Sequence, residues 1–135
     1  MGVVGYGWDM SGWPAASYEK WSETCDTLHG HSQVLGKLAA RLAPPEPQLQ
    51  HAALRLSARG WETAALPAPD GSGSLVIVLD LWAHEAVIEH SGGRVERVAL
   101  APNRSVGTVT REVLAAVRRL GGPVEICLLY TSRCV

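Results

Sequence analysis

Three polar side chains on one side of a helical segment are the part of this chain best suited to chemistry. His29, Gln33 and Lys37 stand at i, i+4 and i+8, a spacing that sets side chains one above another on an α-helix. A base, an amide and an ammonium in such a row can bind or activate a small anionic ligand. His29 is then the candidate catalytic residue, as proton donor or acceptor, and Gln33 and Lys37 are candidate ligand-binding residues. Gly36 beside them lacks a side chain and lets a ligand or another backbone approach closely. The same row also fits a solvated helix edge, which an amphipathic surface helix must have.

Other constellations carry less. "HGH" at 29–31 looks like a metal pair, but on a helix two residues apart point roughly 200° apart, so one ion cannot take both. His51, His84 and His90 lie in or near predicted strands, and there is no second Cys/His cluster at ligand spacing, so no metal is expected. "SYEK" at 17–20 matches Ser-x-x-Lys, yet a capping Ser17 before Glu19 explains it better. There is no P-loop, and the glycines at 5, 7 and 12 follow no predicted strand, so no cofactor is expected. Cys25 falls on an apolar stripe and reads as a core thiol.

Two helices and a sheet must position these residues. "SYEKWSETCDTLHGHSQVLGKLAARLAPP" predicts the first helix, with Trp21, Cys25, Leu28, Ser32, Leu35, Ala39 and Leu42 as its inner stripe and Pro44–Pro45 as its stop. "APPEPQ" reads as an extended connector. "ALRLSARG" (53–60) alternates Leu54, Leu56 and Ala58 against Arg55, Ser57 and Arg59, as a half-buried strand does, and "ETAAL" continues it past a break at Gly60. "LVIVLDLWA" (75–83) reads as a mostly buried strand, and "AVIEH-SGG-RVERVAL" as a β-hairpin. "SVGTVTREVLAAVRRLGG" predicts a second helix capped by Ser105, with Val106, Val109, Val113, Val117 and Leu120 inward. "PVEI" begins another strand. Trp21, Trp61 and Trp82 are expected as core anchors. Strands clustered between two helices favour an α+β fold: an antiparallel sheet of about 4–6 strands with both amphipathic helices on one face.

The bulk numbers exclude several classes. With 135 residues, 47% of them hydrophobic, the chain is long enough for one domain with a real core. Lys plus Arg (12) nearly cancels Asp plus Glu (13), and no basic stripe is visible, so nucleic acid is not an expected partner. No stretch approaches the ~20 apolar residues of a membrane span. The N-terminus lacks a secretory pattern, and Tyr6 stands where a myristoylation signal needs Ser or Thr. Cytoplasmic is the default reading, with no membrane partner.

The residues Trp21, Thr24, Thr27, Leu28, His29, Gln33, Gly36, Lys37, the run Leu42-Ala43-Pro44-Pro45, and Ala58-Arg59-Gly60 resemble a known motif series. It is that of the uncharacterised bacterial family catalogued as domain of unknown function 5996. "WP" at 13–14, Asp80, His84 and "SV…EVLAAVRRLG" are similar too, so the resemblance covers about residues 13–126. It implies that the His29, Gln33, Lys37 row is a family feature, which a solvated edge does not require, and it adds Arg59 as a candidate fourth ligand-binding residue. The family supplies no activity, and its members are roughly twice this length. This chain departs from the pattern at Pro47-Gln48-Leu49-Gln50, where an Asn-His-Trp-Trp run is usual, and at Val78 and Ala83, where acids are usual.

Both ends read as foreign to that domain. Residues 1–12 read as an N-terminal extension, and Met10 stands where the family often starts, so residues 1–9 are expected to be upstream translation outside the native protein. Codons TGT CTC TTA TAC ACA TCT would encode Cys127–Ser132 and are similar to the transposon mosaic end used in sequencing libraries. Their inverse, AGA TGT GTA TAA, encodes Arg133, Cys134, Val135 and a stop. Residues 127–135 are therefore expected to be an artefactual tail of metagenomic assembly, closing a truncated domain at 13–126. Two functions follow. One is a small-molecule-binding or enzyme-like domain in which His29, Gln33, Lys37 and Arg59 converge, and that reading fails if Arg59 lies across the sheet from His29. The alternative is a non-catalytic structural or interaction module, whose polar row fastens the missing C-terminal half or a partner chain over exposed surface.

Overall fold

The computed structural model describes Gly12 and residues 15–127. Helix α1 runs Tyr18–Leu42, then a short 3-10 segment Pro47–Ala52 leads into strands β1 (Arg55–Leu56), β2 (Gly60–Glu62) and β3 (Leu66–Pro67). Strands β4 (Ser74–Asp80), β5 (Glu85–His90) and β6 (Val95–Ala99) follow, and helix α2 (Val106–Gly121) closes the set. All pairings are antiparallel, in the order β1-β2-β4-β5-β6, with β3 also on β4. The fold is α+β, with six strands in one sheet.

The sheet's period-2 alternation decides where the helices go. Leu75, Ile77, Leu79, Ala86, Ile88 and Val98 face one way and share a core with Leu35 and Leu38 of α1 and Val109, Val113 and Val117 of α2. The intervening residues form the other face. There Val78 and Val87 pair across β4 and β5, flanked by the ion pairs Arg59–Glu89 (3.3 Å) and Arg97–Glu85 (2.9 Å). The β5–β6 hairpin forms where its sequence pattern places it, with His90 as its internal fastener. His90 Nδ1 accepts from the Gly92 N–H (2.9 Å), and Nε2 lies 3.0 Å from the Ser72 hydroxyl.

Helix α2 matches its sequence closely. Ser105 Oγ accepts the Thr108 N–H (3.1 Å), a side-chain N-cap. Gly122, at φ 99°, ends the helix. Helix α1 has the expected length and stops before Pro44–Pro45, and Ser17 occupies the N-cap position but makes no side-chain cap bond. Its buried face differs from the expected stripe: Gly30, His31, Val34, Leu35, Leu38 and Ala39 are inside, and no residue from 18 to 29 is buried. Trp21 is 42% exposed. The hydrophobic series passed through Trp21 and Leu28 and skipped the polar His31, whereas burial begins where α2 meets α1.

Four further expectations are corrected. The 53–60 stretch is not one strand. It turns at Ser57–Gly60, where the Ser57 N–H donates to the Gly60 carbonyl (2.8 Å), so Leu56 is exposed at a sheet edge. Gly60, at φ 146°, permits this, and a Cβ there would collide with the Leu79 carbonyl oxygen. Strand β4 ends at Asp80, whose Oδ1 accepts the Trp82 and Ala83 N–H groups (3.0 and 2.9 Å) and turns the chain. Trp82 therefore projects at 84% exposure instead of anchoring the core, while Trp61 does pack on it. "PVEI" forms no strand, although Val124 and Ile126 rest against the core. The connector is extended only as far as Glu46 before the 3-10 segment, in which Gln48 and Leu49 are left-handed. Residues 1–11, 13–14 and 128–135, including nearly all of both proposed foreign ends and the "WP" pair, lie outside the described residues.

Candidate functional site

The row on α1 is formed and then divides. Gln33 Nε2 lies 2.9 Å from His29 Nε2, so the amide donates and the ring nitrogen accepts, which places the proton of neutral His29 on Nδ1. Gln33 and Lys37 line a groove between α1 and α2, whereas His29 stands outside it, exposed. The groove has a volume of about 230 Å³. Its floor is Gly30, Val34, Val106 and Gly107, and α2 adds Thr110 and Arg111.

Local sequence explains why the groove exists. Gly30 lets the helices approach: a Cβ there would stand 2.9 Å from Val106 Cγ2, closer than side chains tolerate. Gly107 leaves the facing surface of α2 bare. Thr110 is buried and donates its hydroxyl proton to the Val106 carbonyl (2.7 Å), while Arg111 Nη2 donates to Thr108 Oγ1 (3.2 Å), which holds the guanidinium along the helix. None of the described lining residues is acidic. Two cations and an amide above an apolar floor suit a small anion.

The other two sequence candidates are not brought to this groove. Arg59 bonds Glu89, which alternates with the core residue Ile88, so its guanidinium lies on the far side of the sheet from α1. The four-residue convergence therefore does not form. Gly36 faces the 3-10 segment, with the Ala52 carbonyl oxygen 3.9 Å from a built Cβ. That is ordinary contact, and it corresponds to the approach of another backbone and not of a ligand.

Sequence reasoning missed a second, larger cavity of about 460 Å³ on the other side of Val106. Glu23, Thr24, Thr27, Leu28 and His31 of α1 form one wall, and the β4–β5 turn adds Leu81 and His84. The segment before α2, including Leu100 and Arg104, completes it. His31 is 4% exposed and its Nδ1 has no hydrogen-bond partner. Burial pushes its pKa below the ordinary value. His84 has φ 55°, unusual outside glycine. The available signal was the second histidine of "HGH", set aside when the metal pair failed on geometry. Among the described residues no group of three or more His, Cys, Asp or Glu is placed to hold a metal ion, and no helix is long and apolar enough to cross a membrane.

No curated protein and no solved structure matches the chain. Residues 13–130 match the model of DUF5996, a family of unknown function, and the chain belongs to that family.

Proposed function

We propose that this domain binds a small anionic ligand in the groove between α1 and α2. The observation that carries the reading is the convergence of Lys37 and Gln33 from one helix with Arg111 from the other on one concavity whose lining, among the described residues, holds no acid. The apolar floor excludes water from one side of a bound anion, which strengthens its contacts with the cations above. The reading is of binding rather than catalysis, because His29 stands outside the groove with Nε2 engaged by Gln33. A thermal-shift titration with inorganic phosphate, pyrophosphate and citrate at fixed ionic strength tests it. At least one anion should stabilise the protein saturably, with affinity falling about tenfold or more in Lys37→Ala and Arg111→Ala. Stabilisation that persists undiminished in both variants would be a general ionic effect and would sink the proposal.

A second reading, a module that docks on another polypeptide, draws on the exposure of Leu56 (82%) and Trp82 (84%). Sedimentation of the chain and of Leu56→Lys/Trp82→Lys tests it. Concentration-dependent self-association abolished by the double change supports it, and a monomer throughout removes self-association as its form.

A further inference from the structure

We infer that the larger cavity, walled by the first half of α1, the β4–β5 turn and the start of α2, is a separate binding site for a small hydroxy- or amino-carboxylate with an apolar body. The inference does not depend on the α1–α2 groove. The two spaces lie on either side of Val106, which lines both.

His31 carries the case. It is 4% exposed, lines the cavity and has a sealed Nδ1 without a partner. Buried polar atoms of native proteins are nearly always paired, and an orphaned N–H is rarer than an orphaned acceptor. The proton of the neutral ring is therefore assigned to Nε2, the nitrogen that is not sealed without a partner, on a residue that lines the cavity. Burial disfavours the charged form, so the ring offers a neutral N–H donor. His31 lines this cavity, so the space beside it is open to a hydrogen-bond acceptor.

The remaining walls select the class of acceptor. At the start of α2, Ser105 Oγ is committed to the Thr108 N–H, but the N–H group of Val106, which lines this cavity, precedes the first intrahelical bond and lies at the positive end of the helix dipole. Arg104 donates to the Ala99 carbonyl (2.9 Å) and pairs with Glu112, which fixes its position at the rim. These groups suit a carboxylate. Glu23 is an acceptor in the same lining, and Thr27 Oγ1, which donates to the Glu23 carbonyl (2.9 Å), keeps its lone pairs. They call for a hydroxyl or amine on the ligand. Leu28, Leu81 and Leu100 supply an apolar wall for its body, and about 460 Å³ is within the size range of small-molecule sites.

The test uses three probes on the full chain: leucine, 2-hydroxy-4-methylpentanoate and 4-methylpentanoate, which lacks the donor. Binding is followed by the ring-nitrogen NMR signals of His31 and by thermal shift. The two donor-bearing acids should bind saturably and move the His31 Nε2 resonance, with 4-methylpentanoate about tenfold weaker, as for one lost hydrogen bond. His31→Leu should weaken the best probe by at least about tenfold, and so should His84→Asn, which tolerates the left-handed backbone and keeps the turn. The site is overturned if none of the probes binds by ~10 mM, near the weak end of specific recognition. It is overturned equally if binding leaves the His31 signals unmoved or survives both substitutions.

Discussion

A histidine that holds an unpaired polar atom inside a fold should be a stability defect, and replacing it should strengthen the protein. His31→Leu is the sharpest case. The sealed Nδ1 has lost water and gained nothing, a penalty of about 1–3 kcal/mol. Leucine has similar volume, so neither a cavity nor overpacking offsets the gain, and its helix propensity adds a few tenths of a kcal/mol. A stabilisation of about 2 kcal/mol moves a urea midpoint upward by about 1 M for an m-value near 2 kcal/mol/M. The pH dependence sharpens the test. The pKa of His31 is lowered in the folded protein from its ordinary 6.5, so below pH 6.5 the unfolded chain binds a proton that the folded one resists. Stability from this group is complete above that value and is lost as pH falls towards the folded pKa. The advantage of the leucine variant over the parent should therefore widen between pH 7.5 and pH 5. Asp70 and Glu96 are also lowered, by hydrogen bonds from Ser72 and Arg119. Their losses come at more acid pH and are common to both proteins. A leucine variant whose midpoint is unchanged or lower at pH 7.5 would show that His31 is satisfied in the folded state and would remove the reason to expect a ligand there.

Five other substitutions probe the frame around the two cavities. Gly60→Ala should cost at least about 2 kcal/mol by urea denaturation, because a Cβ meets the Leu79 carbonyl oxygen at a φ of 146° that alanine avoids. Ser105→Ala should cost about 1 kcal/mol for its cap bond, whereas Ser17→Ala, where no such bond is made, should be near neutral by the same assay. Gly30→Val should destabilise by about 1–3 kcal/mol through its collision with Val106, and Val106→Ala in the same chain should recover most of the loss.

The legible parts of the fold were those in which one local rule acts alone. Helix α2 has a capping serine, an unbroken valine stripe and a glycine stop, and all three agree. The β5–β6 hairpin has alternating apolar residues around a glycine-rich turn. Misreadings arose where a tertiary contact competed with pattern. The alternation in "ALRLSARG" is genuine, but a strand through Gly60 was displaced by a tight turn that only that glycine permits. Trp82 looked like core because of its size, yet the Asp80 carboxylate captures its N–H and turns the chain outward first. The site divides in the same way. Helical spacing correctly set Gln33 beside His29 and in line with Lys37. It could not show that Arg111 would come from another helix to face them, or that Arg59 would be drawn to Glu89 across the sheet.

The shape of α1 ties the two cavities together. It is 25 residues long, yet before Gly30 no residue is buried and only Ser22, Cys25 and Leu28 are half-buried. Helical stability in proteins comes mainly from a packed face, and an unsupported half-helix is marginal in water. The half from Gly30 onward, clamped by the sheet and α2, must therefore hold the N-terminal half in place by propagation. A fold needing only a compact core could start the helix three turns later with little loss of buried apolar surface. What those turns do supply is one wall of the larger cavity, through Glu23, Thr24, Thr27 and Leu28. If that wall exists for a ligand, occupancy should stiffen the helix: amides between 18 and 29 should exchange with solvent far faster than those of 34–39 in the free protein, and the gap should narrow when 2-hydroxy-4-methylpentanoate is present. Equal protection of both halves without ligand would show that the overhang is stable for reasons unconnected with the cavity.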